Sequence, residues 1–433
     1  MRIVRLLPTL AIWSKVSRRS LFRRSLARTV AFHRRRILKA RPVGKAACST
    51  LIQKMPEYRA ARQPVGRDRL RISKVDAIPL RIPFTHGGPS ITWAGNDWKA
   101  LDIVLVRIET DTGLVGWGEA FSYNCRRAVT AMLEDTVAPL ILGRNVQERA
   151  ALVHDLQVKL HLWGRYGISM FAISGIDMAL WDLAGKIAGQ SLGQLLGGGK
   201  TTLPAYASLL KYQDPEVVAQ RTEHALGQGY RLIKLHESPV EPVRAARETA
   251  GEDIAIMLDV NCAWSPTEVG EIVQQLVECR LHWLEEPVWP PENFRGLSEL
   301  REAYGVPVAA GEHVCTAWQF QSMFDFDAVD YAQPSVTKVG GVSEFLKVVA
   351  IAETCNVAIA PHSPYFGPGF LATAQLISAM PGEVPFERFY MDLEGSLYGS
   401  AIDPVAGYLD VPQGPGLGLE PDPDVIRYFQ VQN

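Results

Sequence analysis

The stretch IAIMLDVN (254–261), followed by LHWLEEP (281–287) and VPVAAGEH (306–313), decides the fold. Each is a short apolar run that ends in a carboxylate: Asp259, Glu285 and Glu312. Their spacing is that of one strand plus one helix, the repeat unit of a βα barrel. All three acids then fall at the C-terminal ends of strands, on the rim where such barrels carry their active sites. Three converging carboxylates share that space only with a cation among them. Oxygen donors select a hard divalent ion, Mg²⁺ by preference.

Working outward, the same alternation predicts strands near 203–209, 231–235, 254–258, 281–284, 306–310, 328–332 and 357–360, with a weaker eighth near 384–389. The fold class is therefore α/β, a (β/α)8-type TIM barrel, favoured over a doubly wound sheet because the acids recur at successive strand ends. Upstream, RISKVDAIPLRIPF and ALDIVLVRIETDTGLVGWGEAF read as antiparallel strands, and 128–188 takes a helical period, which together make an α+β capping domain. The expected divisions are a basic leader over 1–69, the capping domain over 70–199, the catalytic barrel over 200–390, and a segment over 391–433 that returns to the cap.

The chain has 433 residues, 47% hydrophobic and 21% charged, enough for both units. The net charge of -1 hides an asymmetry. Residues 1–69 hold 19 Lys and Arg against Glu57 and Asp68, a composition that reads as a disordered leader. The remainder is strongly acidic, which excludes nucleic acid and anionic membrane as expected partners and leaves a small molecule. Six cysteines without framework spacing suit a reducing cytoplasm. No run reads as a transmembrane segment.

In KLH (234–236), Lys234 and His236 stand at i and i+2 of one strand and project to the same side. By the same alternation Asn261 shares the side of Asp259, while Glu286 points away from Glu285.

GLVGWGEA (113–120), IDMALWDLAGK (176–186), KLH, LDVN (258–261), LEEP (284–287), GEH (311–313), TKVGG (337–341) and PHS (361–363) together resemble the enolase superfamily in its mandelate racemase-like branch, over Arg71 to Pro421. The resemblance implies a modified TIM barrel with a capping domain, Mg²⁺ held by Asp259, Glu285 and Glu312, and a Lys or His base. It implies Lys234 on the substrate carboxylate, with His236 as acid or base on one face and His362 on the other. Asn261, Glu286, Ser335, Lys338 and Glu387 become residues that support the metal or touch the substrate. Relatives carry an Asp or a Lys base where Ser335 stands, so His362 lacks its usual charged partner. The loops HGGPSITWAGNDW (86–98), with Gly87, Gly88 and Gly95, and SYNCRRA (122–128) are expected over the barrel mouth, where they would set specificity. Relatives commonly form dimers or larger rings, which implies a homo-oligomer. The implied activity is acid-sugar dehydration, with racemisation or epimerisation second and cycloisomerisation third. The last ranks low because Ser335 replaces the Lys of that branch.

Overall fold

The computed structural model describes residues 70–93 and 96–432. The basic leader and Gly95 lie outside the described residues.

Four strands make the capping sheet. β1 (Ile72–Thr85), β4 (Ala100–Thr110) and β5 (Val115–Ala120) pair antiparallel as a meander, and β14 (Asp392–Leu393) joins the outer edge of β1. Between β1 and β4 the chain makes a small hairpin, β2 (Ile91–Trp93) with β3 (Asn96–Trp98). The final residues also run along β1, where the Val431 N–H donates to the Pro79 carbonyl at 3.0 Å.

Helix α1 (Ile168–Ala188) packs on β5, and the contact explains the glycines of GLVGWGEA. A Cβ on Gly118 would lie 2.0 Å from the Gly175 carbonyl oxygen, and one on Gly116 would lie 2.4 Å from that of Ala179. Strand and helix therefore meet backbone to backbone. Among the described residues α1 is the one helix long and apolar enough to cross a membrane, yet 78% of its apolar window is buried inside the protein. It is the centre of the cap's core, with Val106, Ile108, Leu133 and Leu156 around it.

The barrel strands are β6 (Thr202–Ser208), β7 (Leu232–Leu235), β8 (Ala255–Asp259), β9 (Trp283–Glu285), β10 (Val308–Ala310), β11 (Tyr331–Ala332), β12 (Ala358–Ile359) and β13 (Phe386–Phe389). They pair in parallel in the order β12-β11-β10-β9-β8-β7-β6-β13. The eight expected strands are all present, and those read at 306–310, 328–332 and 357–360 are shorter than the sequence suggested. Their helices cover the outside: α2 (Pro215–Gly227), α3 (Val240–Ala250), α4 (Val269–Leu276), α5 (Phe294–Tyr304), α6 (Ala317–Asp325), α7 (Gly341–Cys355) and α8 (Pro368–Ala379). β12 and β13 share no backbone ladder. Their ends are joined instead by the Ser363 N–H donating to Glu387 Oε2 at 2.7 Å.

Inside the barrel the side chains stack in two layers, as the period of two requires. Tyr206, Met257, Trp283, Ala309 and Ala360 form an apolar floor. Two residues further along β8 and β9 come Asp259 and Glu285, so the acids form the layer above that floor.

Candidate active site

At the centre of the upper layer is Lys234, fully buried at the end of β7. Its Nζ lies 2.9 Å from Glu285 Oε1, 2.8 Å from Glu387 Oε1 and 3.6 Å from Asp259 Oδ2. Burial alone would lower its pKa, but Glu285, Glu387 and Asp259 outweigh it and hold the ammonium charged. Glu387, a weak expectation from the sequence, is buried here on β13 and also accepts from Ser208 Oγ at 2.8 Å. Glu285 accepts from the Trp283 indole at 2.9 Å, which ties it to the apolar floor. Its pKa is raised by burial and by Asp259, against the opposing pull of Lys234.

Glu312 lies beyond the end of β10 and reaches the site through Gly311, whose φ of +143° and neighbours leave no space for a side chain. A Cβ there would lie 2.8 Å from the Phe320 ring and 2.9 Å from the Gln333 nitrogen. Because β8, β9 and β10 are adjacent, Asp259, Glu285 and Glu312 form a row along the rim.

One imidazole stands at each end of the row. His236 directs Nε2 at Asp259 Oδ2, 3.2 Å away, while its Nδ1–H donates to the Leu209 carbonyl. A carbonyl can only accept, so Nδ1 carries the hydrogen and Nε2 is the atom free to exchange a proton. The contact with His236 holds Asp259 at about 2, although burial alone would raise it. At the other end His362 Nε2 is 2.5 Å from Glu312 Oε2. Burial lowers the pKa of His362 in spite of that carboxylate. Glu312 is held well below the usual carboxylate range: burial would raise it, and Lys338 and His362 overcome that.

Ser335 reaches His362 through an intermediary. Its hydroxyl bonds to that of Tyr365, and the Tyr365 oxygen lies 3.4 Å from His362 Nδ1. Where the resemblance leads one to expect a charged partner beside this histidine, the chain has a buried neutral relay. Lys338 places Nζ 3.8 Å from Glu312 Oε1 and 4.3 Å over the Phe121 ring.

Asn261 is a correction to the alternation argument. β8 stops at Asp259, Asn261 adopts φ +47° with its side chain exposed, and its backbone N–H donates to Asp259 Oδ1 at 2.8 Å. Glu286, at φ +44°, does leave the row. Its Oε2 lies 3.1 Å from His313 Nε2, and His313 in turn lies 3.1 Å from Glu312 Oε1. Burial and the charge of Glu312 lift Glu286 to about 7. Burial would lower His313, but Glu286 and Glu312 lift it to about 9.

Several residues escaped the sequence reading. Rings run from Phe84 to Trp98 (5.0 Å), Trp98 to Tyr123 (5.8 Å) and Tyr123 to Tyr365 (6.4 Å), and Trp98 also meets Phe389 (6.0 Å), which meets His236 (6.1 Å). Rings from the cap and the barrel thus form one aromatic wall across the barrel mouth between the two histidines. Trp98 and Tyr123 lie in the 86–98 and 122–128 loops expected over the mouth, whereas Phe84, Tyr365, Phe389 and His313 were not singled out, although Tyr365 is three residues past His362 and His313 directly follows Glu312. Beside the wall, the 86–90 loop lines a cavity of about 610 Å³ with Phe84, Trp98 and Lys99.

The donor set fits a hard cation. Asp259, Glu285, Glu312 and Glu387 converge on Lys234 and Lys338, so the negative charge at the rim exceeds the fixed positive charge. Asp259, Glu285 and Glu312 offer oxygen alone, as Mg²⁺ requires.

Comparison with known proteins agrees. The model for the mandelate racemase / muconate lactonizing enzyme N-terminal domain matches residues 89–197, and the enolase C-terminal domain-like model matches 216–425. An arabinonate dehydratase of Saccharolobus solfataricus is 32% identical over 332 residues, 73% of this chain and 88% of the relative. A D-galactarolactone cycloisomerase of Agrobacterium fabrum is 29% identical over 348 residues, 76% of this chain and 91% of the relative. Among solved structures, a racemase from Streptomyces coelicolor A3(2) with bound magnesium superposes with a TM-score of 0.74 at 25% identity, covering 83% of this chain and 100% of that one.

Proposed function

The chain belongs to the mandelate racemase / muconate lactonizing enzyme family of the enolase superfamily, and from that premise we propose that it is a Mg²⁺-dependent acid-sugar dehydratase. It removes the proton α to a carboxylate and expels the β-hydroxyl, giving a 2-keto-3-deoxy acid. The observation that carries the reading is the pair of imidazoles at opposite ends of one row of acids, each with its Nε2 against the carboxylate at its end of the row.

Asp259, Glu285 and Glu312 would hold the ion, whose Lewis acidity would stabilise the charge that develops on the substrate carboxylate. Lys234 stays cationic and braces two of the ligands through Glu285 and Asp259, so the row keeps its shape as substrate enters. His236 takes the α-proton at Nε2, with its ring fixed by the Leu209 carbonyl. His362 acts as imidazolium, with Nδ1–H donating to the Tyr365 oxygen and Nε2–H set against Glu312; it gives the Nε2 proton to the departing hydroxyl, which leaves as water, and returns to neutral imidazole. The Trp98, Tyr123 and Phe389 wall excludes water from the α-carbon.

A second reading, cycloisomerisation of a sugar lactone or anhydro-sugar acid, is favoured by relatives bearing those names at similar identity. It shares α-proton removal and differs in what leaves. Incubation with Mg²⁺ and a panel of aldonic and aldaric acids and their lactones separates the two. A 2-keto-3-deoxy product from the open-chain acids is expected, whereas turnover of lactones alone would replace dehydration with cycloisomerisation. No turnover of any member would defeat both.

A further inference from the structure

We propose that Cys262, Glu286 and His313 form a second cation site, beside the rim row and distinct from it, for a thiophilic divalent ion such as Zn²⁺ or Co²⁺. Their ligand atoms, a sulfur, a carboxylate oxygen and an imidazole nitrogen, all lie within 4.8 Å of one another. Cys262 Sγ is 3.7 Å and His313 Nε2 is 3.1 Å from the same atom, Glu286 Oε2. Bond lengths of about 2.0–2.3 Å in a tetrahedral zinc site place neighbouring donors roughly 3.4–3.6 Å apart, so the cluster has the right size with small adjustments.

The three residues come from three adjacent strand ends. Each follows a member of the rim row, yet its side chain gathers on the far side. Backbone geometry brings this about: Cys262 at φ +58° and Glu286 at φ +44° turn away from the barrel axis, and the Cys262 N–H donates to the Glu286 carbonyl at 2.9 Å. Glu286 is buried, whereas the His313 side chain is 47% exposed, which gives an ion its path in. The fourth coordination position falls to solvent.

Donor chemistry separates the two sites. The oxygens of Asp259, Glu285 and Glu312 suit Mg²⁺, whereas thiolate with imidazole selects zinc or cobalt. On binding, the Cys262 proton leaves to solvent and a metal–sulfur bond forms. A bare Glu286–His313 ion pair with Cys262 as a bystander is the competing account, and it predicts no metal–sulfur bond.

The test is spectroscopic and does not depend on which reaction the enzyme catalyses. Full-length protein in excess Mg²⁺ is titrated with Co²⁺, and the near-ultraviolet thiolate-to-cobalt charge-transfer band is read. One saturable equivalent is expected in the wild type and in Asp259→Asn. Cys262→Ser should abolish the band, and His313→Ala should weaken apparent Co²⁺ affinity at least tenfold, with thermal melts confirming that each variant is folded. Cys262→Ala serves as a second variant should Cys262→Ser fold poorly. Absence of the band in the wild type, its survival in Cys262→Ser or Cys262→Ala, or its loss in Asp259→Asn would each overturn the proposal.

Discussion

Among the buried acids of the described residues, those of the seam and those of the rim are satisfied in opposite ways. Along the seam between cap and barrel, Asp177 accepts from the Ser343 N–H at 2.8 Å and its hydroxyl at 2.6 Å, in the first turn of α7. Glu119 accepts from the Gly369 N–H at 2.8 Å, in the first turn of α8. These are cap residues that bond the open N-termini of barrel helices, where orphan N–H groups and the helix dipole favour negative charge. The glycines beside them follow, since a Cβ on Gly341 would lie 2.4 Å from Asp177 Oδ2. At the rim, by contrast, the principal partners are titratable side chains: Lys234, His236, His313, Lys338 and His362. Backbone donors fix an acid once and for all. Side-chain partners can give way to a metal and a substrate, so the seam holds the molecule together and the rim reacts.

The largest effect should come from taking the central cation out of the rim. Lys234→Met leaves Asp259, Glu285 and Glu387 buried without their ammonium, and breaking a buried pair in this way costs about 3–5 kcal/mol. Turnover should fall at least about a thousandfold, since the acids lose both charge balance and position. Mg²⁺ should restore part of the lost stability, by about 2.7 kcal/mol at a hundred times its dissociation constant. Urea unfolding with and without Mg²⁺ checks this; equal stability of variant and wild type would remove Lys234 from the centre of the rim.

Next in size is the difference between the two histidines. His236→Asn should stop exchange of the substrate α-hydrogen with deuterated solvent. His362→Asn should retain exchange and lose elimination, each with turnover down by about 10²–10⁴. Proton NMR of the recovered substrate reads both. A racemase would instead show each variant still exchanging the opposite enantiomer.

How far the sequence revealed this division depends on the kind of residue. The rim acids were legible because a carboxylate that ends an apolar run is anomalous, and Asp259, Glu285 and Glu312 lie at the expected strand ends. The barrel was legible from the same alternation. Asn261 was misread because period-two reasoning fails once the strand has ended. The Ser335–Tyr365–His362 relay and the Trp98–Phe389 contact were hidden, since they join residues far apart in the chain or on different loops. The seam motifs were visible as patterns, but their cause, an acid from the cap reaching a helix start in the barrel, appears only in three dimensions.

At the seam, Asp177→Ala should cost about 2–3 kcal/mol, since it strips a charged acceptor from two donors at the start of α7. Unlike the Lys234→Met deficit, this loss should be the same with and without Mg²⁺, as seen in urea midpoints. A Mg²⁺-dependent loss would mean that seam and rim are not independent.

The smallest effect concerns Glu119, and it is visible only as a slope against pH. Burial lifts its carboxyl from an ordinary 4.5 to about 7, while the N–H groups of Gly369 and Gly367 hold it down only in part. Between those values the unfolded chain has released this proton and the folded protein has kept it. Fewer protons bound in the unfolded state make stability fall as pH rises, so the contribution is fully present below about pH 4.5 and lost by about pH 7. At about 1.4 kcal/mol per pKa unit the whole change is at most about 3.5 kcal/mol. Glu119→Gln keeps an acceptor for the Gly369 N–H and removes the titration. Its melting temperature, relative to wild type, should therefore rise steadily from pH 5 to pH 7.5, with little difference at the acid end. Parallel curves across that range would mean that Glu119 is already ionised at pH 5, held by the α8 N-terminus as an anion, and that the seam stabilises charge as fully as the rim does.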